Sequence, residues 1–496
     1  MLFNSLSFLI FFPIVLLIYF VIPKKIRYIW LLIASYYFYM CWNVKYALLL
    51  LISTVITYSA GLIIGWKEQK TWIKKLVMAG SLISNLDILF FFKYFDFALS
   101  GVEKLLGKFG VIFETPQLDI LLPVGISFYI FQAVGYTVDV YREKIDRERN
   151  PLRYALFVSF FPQLVAGPIE RSTNLLSQLR NVDKIKLWNT ERIQQGAVIM
   201  LQGYFMKMIL ADRIATFVDV VYDPMNYTQY VGFTVLVAAM LFSIQIYCDF
   251  AGYTYIAIGA AKIMGFSLMD NFNTPYLAVN IKDFWNRWHI SLTTWFKDYL
   301  YFPLGGSRKG KIRKYINIFV VFLLSGLWHG AAWHYVVWGI LHGVCRIAGE
   351  LTLSVRERLY KVLRFKRDTF ATKMWQVVFT FFLVTVLWMF FRGESVHQTV
   401  MLIKNMVTVY NPWILTDGSL FTLGLDAKEW NVMLVSLLVL AVLDICKYKK
   451  IDLVAIFMKQ NLWFRWIFFY AGIMAVVLFG VYGPQYNAAQ FIYFQF

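Results

Sequence analysis

The chain has 496 residues, of which 59% are hydrophobic, 19% aromatic and only 16% charged, where a soluble domain averages about 45–50% apolar and about 25% charged. So much apolar surface has to face lipid, which excludes a soluble enzyme. The formal charge of +19 lies in short Lys/Arg clusters between apolar runs, a distribution that sets membrane topology and argues against a nucleic-acid partner.

The N-terminal Met-Leu-Phe-Asn has no basic region and no small-residue cleavage site follows it, so 6–22 reads as a retained first helix rather than a signal peptide. A hydrocarbon core takes about 20 apolar residues per helix, and about 11 stretches approach that length. Runs such as 29–42, 46–65, 374–391 and 462–483 are continuously apolar, without the alternation of a transmembrane barrel. The expected fold is all-α: a polytopic integral membrane protein of about 11 transmembrane helices plus re-entrant or interfacial helices. No internal repeat or soluble linker divides it, so 1–496 reads as one domain, with N-terminal helices in 1–140, a core over about 150–350 and C-terminal helices in 374–496.

Lys24, Lys25 and Arg27, then Lys67 to Lys75, then Arg142 to Arg153 follow successive apolar segments and mark cytosolic loops. Segment 93–118 balances Lys93, Lys104 and Lys108 with Asp96, Glu103 and Glu114 and falls outside. Further on, 352–373 and Lys447–Lys450 are basic while 393–430 carries Glu394, Asp417, Asp426 and Glu429, so the alternation continues and both termini lie outside. Segments 163–192, broken by Pro162 and Gly167-Pro168, and 280–314, rich in Trp, Tyr, Lys and Arg, read as interfacial or re-entrant. Cys41, Cys248, Cys345 and Cys446 are scattered without metal-ligand spacing and read as buried filler.

Three of the five histidines fall between Lys314 and Arg346, a stretch of about 31 residues that a straight helix would draw out to about 46 Å. With basic flanks on both sides it has to enter and return, turning near Gly326–Gly330, which puts His329 at membrane depth. An ionisable group there is a functional candidate, although a histidine bonded to a neighbouring helix is an equal reading from this segment alone. His334 and His342 read as packing residues. In Lys282–Leu300, a continuous helix would put Trp285, Trp288, His289 and Leu292 on one face, as aromatic anchors at the interface or with His289 turned into a cavity shared with His329. Asp249, beside Phe250 and Gly252 in an apolar run, requires a partner and reads first as a tie between helices.

Histidine is suited to taking a hydroxyl proton near neutrality, which points to acyl transfer. No G-x-S-x-G elbow occurs and no cysteine stands out as activated, so direct attack of an acceptor hydroxyl on a thioester needs the fewest parts. Five histidines are too few for a membrane di-iron site. The five-residue spacing of His329 and His334, with no HExxH, speaks against zinc, so neither a metal nor a bound cofactor is expected.

Phe11-Phe12-Pro13, Ala34–Tyr39, Leu122–Phe128, Phe161–Arg171, Asp249–Tyr253, Phe284–Ser291 and Ser325–Gly330 occur in this order along the chain. In them the sequence resembles the membrane-bound O-acyltransferase family, and in Ala166–Arg171 and the extended C-terminal half its alginate O-acetyltransferase branch. The resemblance implies a ring of helices around a central tunnel, with donor access from the cytosol and acceptor access from outside. It places the catalytic histidine on His329 and a second tunnel histidine on His289, with Trp328, Asn286, Arg287, Trp285 and Asp249 as tunnel-lining neighbours.

It further implies a multi-pass protein of the bacterial inner membrane that takes acetyl-CoA as donor and acetylates an extracytoplasmic polysaccharide. A separate SGNH-hydrolase-like protein outside the membrane would relay the acetyl group. Two alternatives stay open: a teichoic-acid-type acyltransferase fed by a carrier-protein thioester, and a transporter or flippase that makes no bonds, against which the lack of internal symmetry counts. The polysaccharide, the acyl length and the oligomeric state are not encoded legibly.

Overall fold

The computed structural model describes residues 1–111, 123–165, 167–366 and 368–482. Glu114, Leu122, Ala166 and the last residue of the 462–483 run, all used above, lie outside the described residues. Within them the chain forms helices and turns and no strand.

Val44–Ile64, Thr71–Lys93, Phe233–Met264, Phe370–Arg392, Ala427–Tyr448 and Leu462–Phe479 are long and apolar enough to cross a membrane, and the bent pair Trp333–Leu351 and Leu353–Val362 makes a seventh if it is one span. Three other apolar helices are shorter. Leu6–Val21 and Ile126–Tyr141 have 16 residues each and Arg27–Met40 has 14; at 1.5 Å per residue they reach about 21 to 24 Å, short of a hydrocarbon core of about 30 Å. Among the described residues six or seven helices are thus long and apolar enough to span, and the expected count of about 11 is not confirmed. Leu462–Phe479 buries none of its residues and Thr71–Lys93 only Ser81, Asn85 and Leu89, as expected of helices whose flanks face lipid.

The described residues group into two compact units. The first comprises Met1–Met200 with Ile256–Met269, and the second Leu201–Tyr255 with the chain from Asp270 onward. In the first unit polar side chains pair where helices meet, since lipid offers backbone and side-chain polar groups no partner. Gln163 Nε2 donates to Gln132 Oε1 at 2.8 Å and to the Phe157 carbonyl at 2.9 Å. Glu170, 1% exposed, accepts from the Met269 amide at 2.6 Å and from Asn174 Nδ2 at 2.7 Å. Burial outweighs these donors and raises its pKa to about 7. Among the described residues of the expected interfacial stretch 163–192 the helical segments are the short Phe161–Leu164, Ser172–Leu176, Ser177–Leu179 and Val182–Lys184, before the longer helix Thr190–Tyr204 begins.

In the second unit Lys207 lies in a π-helical stretch, Phe205–Ala211, and is 1% exposed. Its ammonium is 2.6 Å from Asp249 and 2.7 Å from Asp212. The carboxylate that the sequence left in search of a partner thus ties its helix to Lys207.

Candidate active site

The candidate site lies wholly in the second unit and is built on a helical hairpin. Lys311–His329 runs to Gly330, and after three residues Trp333–Leu351 returns antiparallel, with Lys314 and Arg346 both paired to Glu350 at the open end. The segment expected to enter and return folds as a hairpin. Glycine makes the close approach possible: a Cβ on Gly326 would lie 2.4 Å from the Tyr335 carbonyl oxygen, and one on Gly339 would lie 2.4 Å from that of Phe322. The closed end meets the last residues of Phe370–Arg392, where His334 Nδ1 donates to the Phe390 carbonyl at 3.1 Å.

His329 is the final residue of the incoming helix and is 3% exposed. Three rings stand edge-on to its imidazole: Trp328 and Trp338 with centres at 5.0 Å and Phe391 at 5.2 Å. This apolar wall excludes water and strengthens any charge interaction formed inside it.

His289 is fully buried, and here the structure departs from the continuous helix expected across Lys282–Leu300. One helix, Ile281–Arg287, ends before Trp288 and a second, Ile290–Phe296, begins after His289, whose φ of 43° is left-handed. A β-carbon makes that conformation costly, so neighbouring bonds have to hold it. Asn271 does so. Its carbonyl Oδ1 accepts from the Ser291 amide at 3.4 Å and the Ser291 hydroxyl at 2.9 Å, and lies 3.0 Å from His289 Nδ1; the Asn271 main-chain carbonyl takes the Ile290 amide at 2.9 Å. An oxygen that accepts a backbone N–H is an acceptor, so His289 Nδ1 carries the proton and Nε2 presents its lone pair. Burial depresses the imidazole pKa to about 3, so the ring is neutral at physiological pH.

Trp328 joins the two histidines, its indole standing edge-on to His289 at 6.0 Å and to His329 at 5.0 Å. On the other side of His289, Phe250 packs at 4.7 Å and also touches Phe272 at 5.0 Å. The Phe272 carbonyl accepts from Lys447 at 2.9 Å, at the basic end of Ala427–Tyr448. Trp285 is one step removed: its Nε1 donates to His342 Nδ1 at 3.2 Å, and Trp338 lies between His342 at 4.8 Å and His329 at 5.0 Å.

Of the remaining sequence candidates, Asn286 is exposed. Arg287 is engaged with Asp283 at 2.9 Å, the Asn273 carbonyl at 3.3 Å and Thr274 at 3.2 Å. Asp249 is held by Lys207. The structure therefore brings together His289, Trp328 and His329, with Trp285 behind them, while Asn286 is exposed and Arg287 and Asp249 are paired as described. Sequence reasoning missed Asn271, Trp338 and Phe391; the one available signal was Asn271 standing polar between Asp270 and Phe272, 18 residues before the histidine it orients.

Residues 18–393 match the family described as MBOAT, membrane-bound O-acyltransferase family, a range that includes both histidines. A probable alginate O-acetylase, AlgI, of Pseudomonas syringae pv. tomato is 37% identical over 400 residues, covering 80% of this chain and 73% of the relative. A peptidoglycan O-acetyltransferase of Helicobacter pylori is 36% identical over 426 residues, covering 81% and 76%. A teichoic acid D-alanyltransferase of Bacillus subtilis is 29% identical over 334 residues, covering 65% and 79%.

Proposed function

This chain belongs to the membrane-bound O-acyltransferase family and is an O-acyltransferase, and from that premise we propose that it carries acetyl groups from cytosolic acetyl-CoA to the hydroxyls of an extracytoplasmic polysaccharide. An SGNH-hydrolase-like partner outside the bacterial inner membrane relays the group, and a ring of helices around a tunnel provides the path. The observation that carries this reading is the row His289, Trp328, His329. Its first member has neighbours toward the basic end of Ala427–Tyr448, and its last sits against the Phe390–Arg392 end of Phe370–Arg392. By the positive-inside rule those ends are cytosolic and external, so the row runs in the direction the acyl group has to travel.

In the proposed step the acceptor hydroxyl oxygen attacks the thioester carbonyl carbon while His329 takes the hydroxyl proton. The C–S bond then breaks and the proton passes to the departing thiolate, leaving an ester and a free thiol. Placing both reactants within an aromatic enclosure converts the encounter into an oriented one. His289, neutral and with Nε2 as acceptor, orients the donor through a hydrogen bond, and Trp328 fixes the spacing of the two rings. Bound in a dry site, the thioester is also protected from hydrolysis.

The reading is tested in proteoliposomes that hold the purified protein and its relay partner, with a polysaccharide sealed inside and radiolabelled acetyl-CoA added outside. Label bound to the enclosed polymer supports it. Label that enters the lumen with its thioester intact supports a transporter instead, and transfer from a carrier-protein thioester but not from acetyl-CoA reassigns the donor.

A further inference from the structure

Between the hairpin and Phe370–Arg392 the chain forms a ten-residue helix, Leu353–Val362, that buries none of its residues. It leaves the direction of Trp333–Leu351 by 49°, so it does not continue the course of that helix. Its sequence is two-faced. Val355, Leu359, Val362 and Leu363 recur at three- and four-residue spacing along one side and are 58, 51, 78 and 59% exposed. Arg358 and Lys361 lie off that side of the helix and Arg364 follows its end, where its φ of 54° is left-handed; all three are exposed. Arg356, which falls within the apolar side, turns its guanidinium back to the Gly349 carbonyl and so closes the preceding helix. Tyr360 accepts from Gln376 at 3.3 Å, a polar tie to the next helix.

A helix with one apolar side and basic residues off it, none of them buried, has the form that lies in a lipid interface, apolar residues among the acyl chains and basic ones at the phosphates. We propose that Leu353–Val362 with Arg364 is an interfacial docking element for anionic phospholipid headgroups. Charge complementarity favours this occupant. Arg358, Lys361, Arg364 and Lys366 gather on one short segment with Glu357 as the only acidic residue of the helix, and each basic group near an anionic surface adds to the attraction. A soluble acidic partner would meet the cations and leave the four apolar side chains in water. Only Thr352 separates the element from Leu351, the end of the helix that returns from His329, so lipid bound here steadies the base of the hairpin.

The test is hydrogen exchange measured by mass spectrometry on the full chain in lipid nanodiscs, comparing pure phosphatidylcholine with discs in which a third of the lipid is phosphatidylglycerol. Amides of 353–363 exchange about tenfold more slowly in the anionic discs, high salt removes the difference, and the R358Q/K361Q/R364Q variant removes it at low salt. Equal exchange in both kinds of disc overturns the proposal, and that comparison on the unmodified protein is decisive even if the triple variant does not fold. Protection that appears only when an acidic acyl-carrier protein is added overturns it in favour of a protein partner.

Discussion

Replacing Gly326 with alanine puts a methyl group 2.4 Å from the Tyr335 carbonyl oxygen, where van der Waals contact requires about 3.5 Å. The obstacle is backbone, so no rotamer relieves it and the two arms of the hairpin have to part by about 1 Å. Gly326 is one turn before His329, and a displacement of that size at a reacting group costs about 100-fold in rate, beside about 1–3 kcal/mol of stability. Gly343 on the same hairpin is the internal control, because a Cβ there meets the Phe322 Cβ at 3.2 Å, an overlap of only a few tenths of an ångström. The assay is thioester turnover by purified protein with thermal unfolding recorded in parallel. G326A is expected to lose at least tenfold in kcat while still folded, and G343A to stay within about threefold of the parent. Full activity in G326A, or equal loss in both variants, would refute the claim that close helix approach positions His329.

Three further outcomes follow from the same geometry. Removing Asn271 takes one acceptor oxygen from His289 and Ser291 together; N271A should cost roughly 1–3 kcal/mol in unfolding and lower kcat more than tenfold, while N271D, which keeps the acceptor, recovers part of the rate. K207A leaves Asp249 and Asp212 facing one another without their shared cation and should destabilise by about 3–5 kcal/mol, whereas D249N keeps the Asp212 pair and loses less in the same melting experiment. Glu170, whose pKa rises from 4.5 to about 7 on burial, binds its proton more tightly folded than unfolded. Its contribution is present below about pH 4.5 and is lost as pH rises toward 7, a change of a few kcal/mol that should vanish from the pH dependence of melting in E170A.

Much of this arrangement could be read from the chain because lipid imposes simple rules. The apolar runs 46–65 and 374–391 became Val44–Ile64 and Phe370–Arg392, and the basic flanks of the histidine segment forced a return that Gly326 and Gly330 located. The break at His289 was hidden because its cause is distant. Helical spacing through Trp285, Trp288, His289 and Leu292 is locally sound, and only Asn271, 18 residues upstream, holds the backbone at a φ of 43°. The roles of Asn286, Arg287 and Asp249 were equally illegible, since motif proximity says nothing about which way a side chain turns. The same limit applies to span number, where helices of 14 to 16 residues are apolar in sequence yet short of a full crossing.

The central claim is that His329 takes part in acyl transfer, and the most direct measurement replaces it with alanine. Insertion and folding are confirmed first; acetyl groups on the cell's extracellular polysaccharide and thioester turnover in purified membranes are then measured together. Loss of both is the predicted result, and unchanged turnover in a folded H329A protein would contradict it and return this histidine to a packing role.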